Sequence, residues 1–368
     1  MLKYGASAIA LAFAATAASA TEITVDSSMV EARIITQTLD NGVPITPPFG
    51  PGDAFQPDEY TGVGQMVITR DAGTFVCTGT RISTIHVLTA AHCITDASGA
   101  TDVTSAFIQF EDGLNNFVSA NVKTITDANV HPLYNGNLGD GHDLAIVELD
   151  TVLGDNITTY GINTDTDELG ETFIKVGTGS LGSGDTGSIG GAGFGFRLVG
   201  TNRYETISFG GLSSTAAGAE SILMFDFDEF GNPATDAYGA LDILTGSFPL
   251  FEGLADTGLE TEVNTAGGDS GGPGFLVNDD GELVVASVTS FGISSCAFAV
   301  GGVPVTTDAD CFVNGTNSSF GEFSGDARVS SGVDFINGFI LRVPAPAGLT
   351  LLLVGAAGVA AAARRRTA

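Results

Sequence analysis

Residues 267–275 read GGDSGGPGF and place five glycines and one proline around Asp269 and Ser270. Glycine loses more backbone freedom on folding than any other residue, so a run of this kind is costly in an ordered protein. Two interpretations are open at this point. The run is a flexible surface loop, or it is a backbone that bends tightly to present the Ser270 hydroxyl as a nucleophile.

Two further motifs favour the second interpretation. His92, one of four histidines, ends the small-residue stretch LTAAH, and Asp143 opens the apolar stretch DLAIVEL. A serine hydroxyl is a weak nucleophile that needs an adjacent base, and imidazole titrates near neutral pH. Taken singly, His92 could be a core histidine beside a disulfide and Asp143 a turn residue before a strand. Together, His92 and Ser270 are of the residue types that a base-activated serine nucleophile requires.

The body of the chain is predicted to be built from β-strands. From about residue 60 it consists of short runs of near-alternating apolar and polar residues with glycine and aspartate turns, such as GQMVITR and ELVVASVTSF. This pattern is typical of an all-β barrel or sandwich, and the length of the body favours two β units over one. One helix is predicted, near residues 331–341.

The three motifs resemble, position by position, the histidine, aspartate and serine motifs of the trypsin/chymotrypsin-like serine proteases. Further stretches of similarity, among them FVCTGTRISTIHVLTAAHC and VVASVTSFG, extend the resemblance over about residues 60–340. The resemblance implies two six-stranded antiparallel β-barrels, a site in the cleft between them and a short C-terminal helix. We expect a protease domain at residues 59–342, with barrel one at about 59–165 and barrel two at about 166–342.

The same resemblance implies a role for each motif residue. His92 is the general base, Asp143 holds its tautomer, and Ser270 is the nucleophile. The backbone N–H groups of Gly268 and Ser270 form an oxyanion hole. Asp269 is the buried carboxylate that accepts a newly freed N-terminal amine.

The position of that new N-terminus is left open by the sequence. It is Ile34, if the chain is cut after Arg33, or Thr21, if only a signal peptide is removed. The stretch from Ile34 to Cys77 is longer than the family usually shows. Self-activation without a pro-peptide is therefore a further alternative.

The predicted specificity pocket departs from the trypsin pattern. The resemblance places Asn264 at the base of the pocket, with Ser290 and Gly292 on the strand beside it. A neutral Asn264 cannot pair with Arg or Lys as a carboxylate would, so strict tryptic cleavage is not expected. Two insertions, at about 205–262 and 296–325, are expected to flank the cleft.

Four cysteines are present, and three pairings of them are possible. We prefer the two local pairs, Cys77 with Cys93 and Cys296 with Cys311, since disulfides form in exported proteins. No CxxC pair suggests a structural zinc site, and we expect no metal and no cofactor. The segment DFDEFG, residues 226–231, is a weak calcium candidate because Phe230 stands where a calcium loop needs a ligand.

The two ends of the chain are predicted to direct its export. Residues 1–20 have the layout of a secretory signal peptide, and residues 21–58 form a proline- and glycine-rich lead-in or pro-segment. Residues 343–368 combine Val-Pro-Ala-Pro, an apolar stretch and three arginines. This tail resembles a PEP-CTERM-type sorting tail processed by an exosortase-like enzyme, and a plain membrane anchor is the alternative. Both place the body outside the cytoplasm, at the cell surface or secreted, with the membrane contacted only through the tail.

The charge of the chain excludes some partners. It has 43 acidic and 13 basic residues, a formal net charge of −30, and a field of this sign repels nucleic acid. The expected partners are protein or peptide substrates, signal peptidase and the exosortase-like enzyme. The function predicted from the sequence is an exported serine endopeptidase. A non-catalytic surface-binding module with the protease fold and an esterase with the same triad are the alternatives.

Overall fold

The computed structural model describes twelve ranges of the chain: 35–36, 39–40, 43–44, 60–110, 121–192, 197–207, 219–229, 234–235, 262–295, 299–300, 303–304 and 315–340. The chain divides into two compact units, Met1–Val333 and Asp334–Ala368. Among the described residues, no helix is long and apolar enough to cross a membrane. The signal peptide, most of the lead-in and the C-terminal tail lie outside the described ranges, so the domain boundaries at residues 20, 58 and 342 stay predictions.

Among the described residues, the first unit contains mainly β-strands, and the described α-helix is α1 (Val333–Ile340). The strands are β1 (Ile35–Thr36), β2 (Leu39–Asp40), β3 (Val43–Pro44), β4 (Val63–Arg70), β5 (Gly73–Arg81), β6 (His86–Thr89), β7 (Val103–Gln109), β8 (Val122–Val130), β9 (Ala145–Leu149), β10 (Gly161–Ile162), β11 (Thr172–Gly177), β12 (Ser180–Ser183), β13 (Gly187–Ala192), β14 (Leu198–Arg203), β15 (Thr206–Ile207), β16 (Ile222–Asp226), β17 (Val263–Asn264), β18 (Pro273–Val277), β19 (Leu283–Ile293), β20 (Ala299–Val300), β21 (Val303–Pro304) and β22 (Phe323–Arg328).

Barrel one is a closed antiparallel barrel with the strand order β4-β5-β6-β9-β8-β7. Its core follows the two-residue period of a strand: Met66 and Ile68 of β4 are fully buried, whereas Val67 between them is partly exposed. β5 passes over this core at Gly79. A side chain there would place its Cβ 2.6 Å from a methyl of Val87 and 2.9 Å from the Met66 sulfur.

Barrel two is an eight-stranded sheet. Its order is β14-β11-β18-β19-β22-β16-β15, with β10 paired alongside β19. β14 and β15, the two edge strands, are separated in sequence only by Tyr204 and Glu205. The Asn202 side chain also links β14 to β16, since its Nδ2 donates to the Asp226 carbonyl at 2.7 Å.

These observations confirm the predicted all-β fold, with a closed six-stranded antiparallel barrel and a short C-terminal helix. The second barrel was predicted with six strands, and the structure has an eight-stranded sheet in its place. One part of the insertion prediction was wrong. Residues 222–226 are not an insertion beside the cleft but form β16, which pairs with β22 inside barrel two. All five residues of this strand are buried, because a strand in the middle of a curved sheet presents a continuous apolar run.

The core of barrel two contains a buried ion pair. Lys175 and Asp326 have no exposed surface, and the Lys175 ammonium lies 2.5 Å from Asp326 Oδ2. The same oxygen accepts from Ser287 Oγ, which in turn accepts from the Tyr204 hydroxyl at 2.6 Å. Burial lowers the pKa of Lys175, and Asp326 opposes that shift. The rings of Phe173 and Phe225 also lie 5.7 and 5.5 Å from the ammonium.

Removing one partner of this pair is expected to destabilise barrel two strongly. Lys175→Met leaves the Asp326 carboxylate buried without its cation, and such a loss costs about 3–5 kcal/mol. Chemical denaturation followed by fluorescence or circular dichroism measures the change. The double variant Lys175→Met/Asp326→Leu replaces both charges and should recover at least half of the loss. Equal destabilisation of the single and double variants would contradict this account.

Candidate active site

His92 lies in a short helical turn, Ala91–Cys93, directly after β6. Two constraints fix the position of this turn. The predicted disulfide between Cys77 and Cys93 is formed and ties it to β5. Arg70, at the end of β4, donates hydrogen bonds to the carbonyl oxygens of His92 at 2.7 Å, of Thr95 at 2.7 Å and of Cys93. The guanidinium thereby satisfies the carbonyl groups that the short turn leaves without partners.

Asp143 is fully buried and accepts hydrogen bonds from both sides. Its Oδ1 accepts the backbone N–H of His92 at 2.8 Å, and its Oδ2 lies 2.6 Å from His92 Nδ1. Ser290 Oγ of β19 donates to Oδ2 at 2.6 Å. A carboxylate here accepts, so the proton of the neutral imidazole lies on Nδ1 and the lone pair on Nε2. The preceding His142 has φ 58°, a left-handed conformation that turns the chain before β9.

Ser270 lies within hydrogen-bonding distance of that lone pair, because His92 Nε2 is 2.9 Å from Ser270 Oγ. The structure therefore brings together the three residues that the sequence motifs predicted. Their side chains are largely shielded: His92 is 17% and Asp143 1% exposed. Ser270 is 4% exposed.

The turn that carries Ser270 is held by both barrels. From barrel one, the Thr78 N–H donates to the Ser270 carbonyl at 2.7 Å and Thr78 Oγ1 donates to the Gly268 carbonyl at 2.8 Å. From barrel two, the Thr289 carbonyl accepts the Gly271 N–H at 2.9 Å. Gly271 has φ 85°, and a Cβ there would lie 2.1 Å from Thr89 Oγ1. Only glycine fits this position.

The predicted oxyanion-hole groups are available for a ligand. In the described part of the chain, neither the Gly268 N–H nor the Ser270 N–H donates to a protein acceptor. Gly268 has φ 107°, and a Cβ there would approach the Gly179 Cα to 2.8 Å. Asp269 between them is buried; its Oδ1 accepts the Gly179 N–H at 2.8 Å and its Oδ2 the Ala266 N–H at 3.3 Å.

The three predicted specificity residues lie on neighbouring strands. Ser290 contacts Asp143, and Gly292 lies two residues further along β19, where it pairs with Ser324 of β22. Asn264 of β17 is bonded to the Ser324 side chain. The second predicted disulfide, Cys296 with Cys311, lies outside the described residues.

A small cavity beside His92 was not anticipated from the sequence. Its volume is about 100 Å³, and its walls include Arg70, Thr95, Tyr134 and Leu138. Burial, and secondarily the Asp143 charge, raise the pKa of the Tyr134 phenol, so this hydroxyl stays protonated. The sequence signal for the segment with Tyr134 was the stretch VHPLYN, but nothing in it indicated Arg70, which is separated from His92 by more than twenty residues.

Two further histidines stack next to Asp143. The rings of His131 and His142 are parallel with centroids 4.8 Å apart, and both side chains are buried. Burial, and then the neighbouring His142, lower the pKa of His131 to about 4. Burial also lowers the pKa of His142. Both rings are therefore neutral at neutral pH, and His131 Nδ1 accepts the Leu133 N–H at 3.3 Å.

A cluster of carboxylates is the only described group, apart from the disulfide-bonded cysteines with His92, whose geometry suits a metal ion. Oxygens of Asp226, Asp228 and Glu262 lie within 4.8 Å of one another, and all three residues are buried. Glu262 Oε1 accepts from the Asp228 N–H at 3.0 Å and from Asn202 Nδ2 at 3.2 Å. Burial, followed by repulsion from Asp226, raises the pKa of the adjacent Glu205 well above its usual value. The expectation of no cofactor stays a prediction.

Residues 53–189 match the family model named Trypsin. This part of the chain is similar to the trypsin family. The matched segment is just over a third of the chain and contains His92 and Asp143, while Ser270 lies beyond it. Among solved structures, HL collagenase has 17% sequence identity and a TM-score of 0.49, and the alignment covers 78% of this chain and 96% of that chain. None of the curated proteins matches the sequence.

Arg70 is expected to position His92. Arg70→Met removes the bonds to three carbonyl groups around His92, and a small displacement of a catalytic group can cost about 100-fold in rate. We expect kcat to fall roughly 10- to 100-fold with little change in KM. Arg70→Lys keeps the charge and can reach one carbonyl, so its kcat should be intermediate. An Arg70→Met variant with unchanged kcat would contradict this role.

Proposed function

We propose that the protein is an exported serine endopeptidase that cleaves peptide bonds through an acyl-enzyme. The observation that carries the proposal is the unbroken chain of contacts from Asp143 through His92 to Ser270, with distances of 2.6 and 2.9 Å. A buried carboxylate, a correctly oriented imidazole and a serine hydroxyl in line are what nucleophilic acyl transfer requires.

In the first half of the reaction, Ser270 Oγ attacks the carbonyl carbon of the substrate peptide bond. His92 Nε2 accepts the hydroxyl proton as the new C–O bond forms. Asp143 accepts a hydrogen bond from the His92 Nδ1–H throughout. It stabilises the imidazolium and does not become protonated. The C–N bond then breaks, and the same proton passes from Nε2 to the departing amine.

The negative charge of the tetrahedral intermediate falls on the former carbonyl oxygen. The N–H groups of Gly268 and Ser270 are free to donate to it, and a donor of this kind contributes about 3–4 kcal/mol to the transition state. In the second half, His92 takes a proton from water, the hydroxide attacks the Ser270 ester, and the acid product leaves as the serine hydroxyl is restored.

The position of β1 supports activation by cleavage after Arg33. Arg33 and Ile34 lie outside the described residues, but Ile35, the next residue, pairs with Asn264 of β17 and Thr36 with Val263. Ala266, two residues after Asn264, donates its N–H to Asp269. A chain that starts at Ile34 would thus begin one residue before a strand that already lies beside the Asp269 region. Thr21 is thirteen residues further from it along the chain.

Export and processing complete the proposal. In this proposal, signal peptidase removes residues 1–20. Residues 343–368 anchor the chain in a membrane or are processed by an exosortase-like enzyme. The full chain has a formal net charge of −30, which favours solubility and repels nucleic acid. Its partners in this scheme are protein or peptide substrates, and the membrane is contacted only through the tail.

Loss of the Ser270 hydroxyl should abolish hydrolysis. In Ser270→Ala, casein cleavage and labelling by a fluorophosphonate should both disappear, since no other group can form the acyl-enzyme. Ser98→Ala, which removes an exposed hydroxyl, is the matched control and should retain both. Casein and a p-nitrophenyl ester are assayed in parallel. Ester cleavage without casein cleavage would favour the esterase, and a wild-type chain with neither activity nor labelling would favour a binding module.

Activation after Arg33 has its own test. Intact-mass and N-terminal analysis of the active protein should show a chain beginning at Ile34. In Arg33→Gln the chain should keep residues before Ile34, and fluorophosphonate labelling of Ser270 should fall at least tenfold because Asp269 receives no new amine. Arg33→Lys should still be cut by a trypsin-like activator. Its Ser270 should then be labelled by the fluorophosphonate. A fully labelled wild-type protein that begins at Thr21 would overturn this route.

A further inference from the structure

The N–H group of Gly268, one of the two proposed oxyanion donors, lies in the middle of a β-turn. The Asp269 N–H donates to the Ala266 carbonyl at 3.1 Å and closes this turn, so Gly267 and Gly268 are its central residues. Type I and type II turns share such a closing bond and differ by rotation of the central peptide group. The φ of Gly268 is 107°, a positive value as in a type II turn. The closing bond alone therefore does not fix the direction of the Gly268 N–H.

The steric limits of the chain do not fix this direction either. Both central residues of the turn are glycine, which adopts positive and negative φ about equally readily. Gly267 and Gly268 are also only partly buried, so water can compete for their peptide groups. A contact from outside the turn is needed to hold Gly268 in place.

Thr78 of β5 supplies such a contact from barrel one. Its side chain is fully buried, and its Oγ1 donates to the Gly268 carbonyl at 2.8 Å. A carbonyl oxygen can only accept, so the single proton of the hydroxyl lies on this bond. Gly179 approaches the same residue, since a Cβ at Gly268 would lie 2.8 Å from the Gly179 Cα. Gly268 is thus contacted by Thr78 at its carbonyl and by Gly179 at its Cα.

Thr178 takes the two remaining positions of the Thr78 hydroxyl. Thr78 Oγ1 accepts the Thr178 N–H at 3.1 Å and lies 2.9 Å from Thr178 Oγ1. Because the Thr78 proton is already used, the Thr178 hydroxyl is the donor in the second contact. A hydroxyl has one donor and two acceptor positions, and here all three are in use. The Thr78 hydroxyl therefore has one orientation, with its proton on the Gly268 carbonyl.

We propose that the Thr78 hydroxyl is a positioning group for the oxyanion hole: by holding the Gly268 carbonyl, it keeps the Gly268 N–H directed at the oxygen on which negative charge develops. This inference rests on the proposed function, since it requires acyl transfer at Ser270. It adds a residue of barrel one to a hole whose two donors belong to the turn of barrel two. Its effect is on the transition state and not on the binding of the substrate.

Thr78→Val tests the role of the hydroxyl, because it removes the oxygen and keeps the shape of the side chain. Active sites are counted by the end point of fluorophosphonate labelling, and kcat and KM are measured with a casein peptide that the wild type cleaves. We expect kcat per labelled site to fall roughly 10- to 100-fold with KM unchanged, since a displaced donor loses stabilisation only in the transition state. Labelling should become slower as well but should still reach completion.

Thr80→Val is the matched control. Thr80 lies two residues further along β5 and is 1% exposed, and its Oγ1 is a buried atom without a hydrogen-bond partner in the part of the chain that the structure describes. The same exchange there should leave kcat and KM at their wild-type values. Thr78→Ser keeps the hydroxyl and should recover most of the rate lost in Thr78→Val. Thr178→Val removes one donor to Thr78 but leaves the bond to Gly268, so its kcat should lie between these two.

The pH–rate profile distinguishes a displaced oxyanion hole from a damaged triad. The pH dependence of kcat/KM reports the ionisation of the catalytic base. The Thr78 hydroxyl bonds to Gly268 and Thr178 and not to the base. Thr78→Val should therefore lower the whole profile without moving its midpoint.

The outcomes separate this inference from the proposed function. Wild-type kcat in Thr78→Val, an equal loss in Thr80→Val, a loss that lies in KM, or a displaced midpoint would overturn the inference while labelling of the wild type upheld the enzyme. A Thr78→Val protein with no labelled sites at all would overturn it too, since a positioning group slows the reaction without abolishing it. A wild-type chain that is neither labelled nor active would overturn the proposed function, and the inference with it.

Discussion

The Asp143 carboxylate is the group around which the site is organised. It has no exposed surface, and a buried carboxylate is tolerated only when protein donors replace its lost water. Three donors do so: the backbone N–H and the ring of His92 from barrel one, and the Ser290 hydroxyl from barrel two. Because these donors come from different barrels, the carboxylate is satisfied only when both barrels are folded and docked. The same bonds set the tautomer of His92 and direct its free lone pair at Ser270.

The sequence allowed the all-β class to be predicted from local patterns, and the three residues that meet at the site from motifs that resemble those of a known family. Alternating runs such as VGQMVITR show the strand period of β4 directly. The glycines of GGDSGGPGF reflect backbone angles and close approaches that only glycine allows, as at Gly271. The cysteine next to His92 indicated the bond to Cys77, since only three pairings were open and this one closes a short loop.

What could not be predicted are contacts between residues far apart in sequence that leave no local pattern. Arg70 looks like an ordinary charged residue at the end of a strand, yet its guanidinium holds the turn of His92. Lys175, in TFIKVG, resembles a solvent-facing residue of an alternating strand and is fully buried against Asp326. The sequence analysis places the residues of β16 in an insertion, because an apolar run alone does not tell whether a segment joins a sheet or covers it. In each case the partner strand, and not the residue itself, decides the environment.

The hydrogen bonds from Thr78 to the Ser270 turn have a consequence for when the site is assembled during folding. Thr78 of barrel one holds the carbonyl groups of Gly268 and Ser270, so the nucleophile belongs in sequence to one barrel and is shaped by the other. A chain with only barrel one folded has a histidine but no serine beside it. A chain with only barrel two has a serine but no base. The contact between His92 and Ser270 therefore forms in a single step, when the second of the two barrels folds against the first.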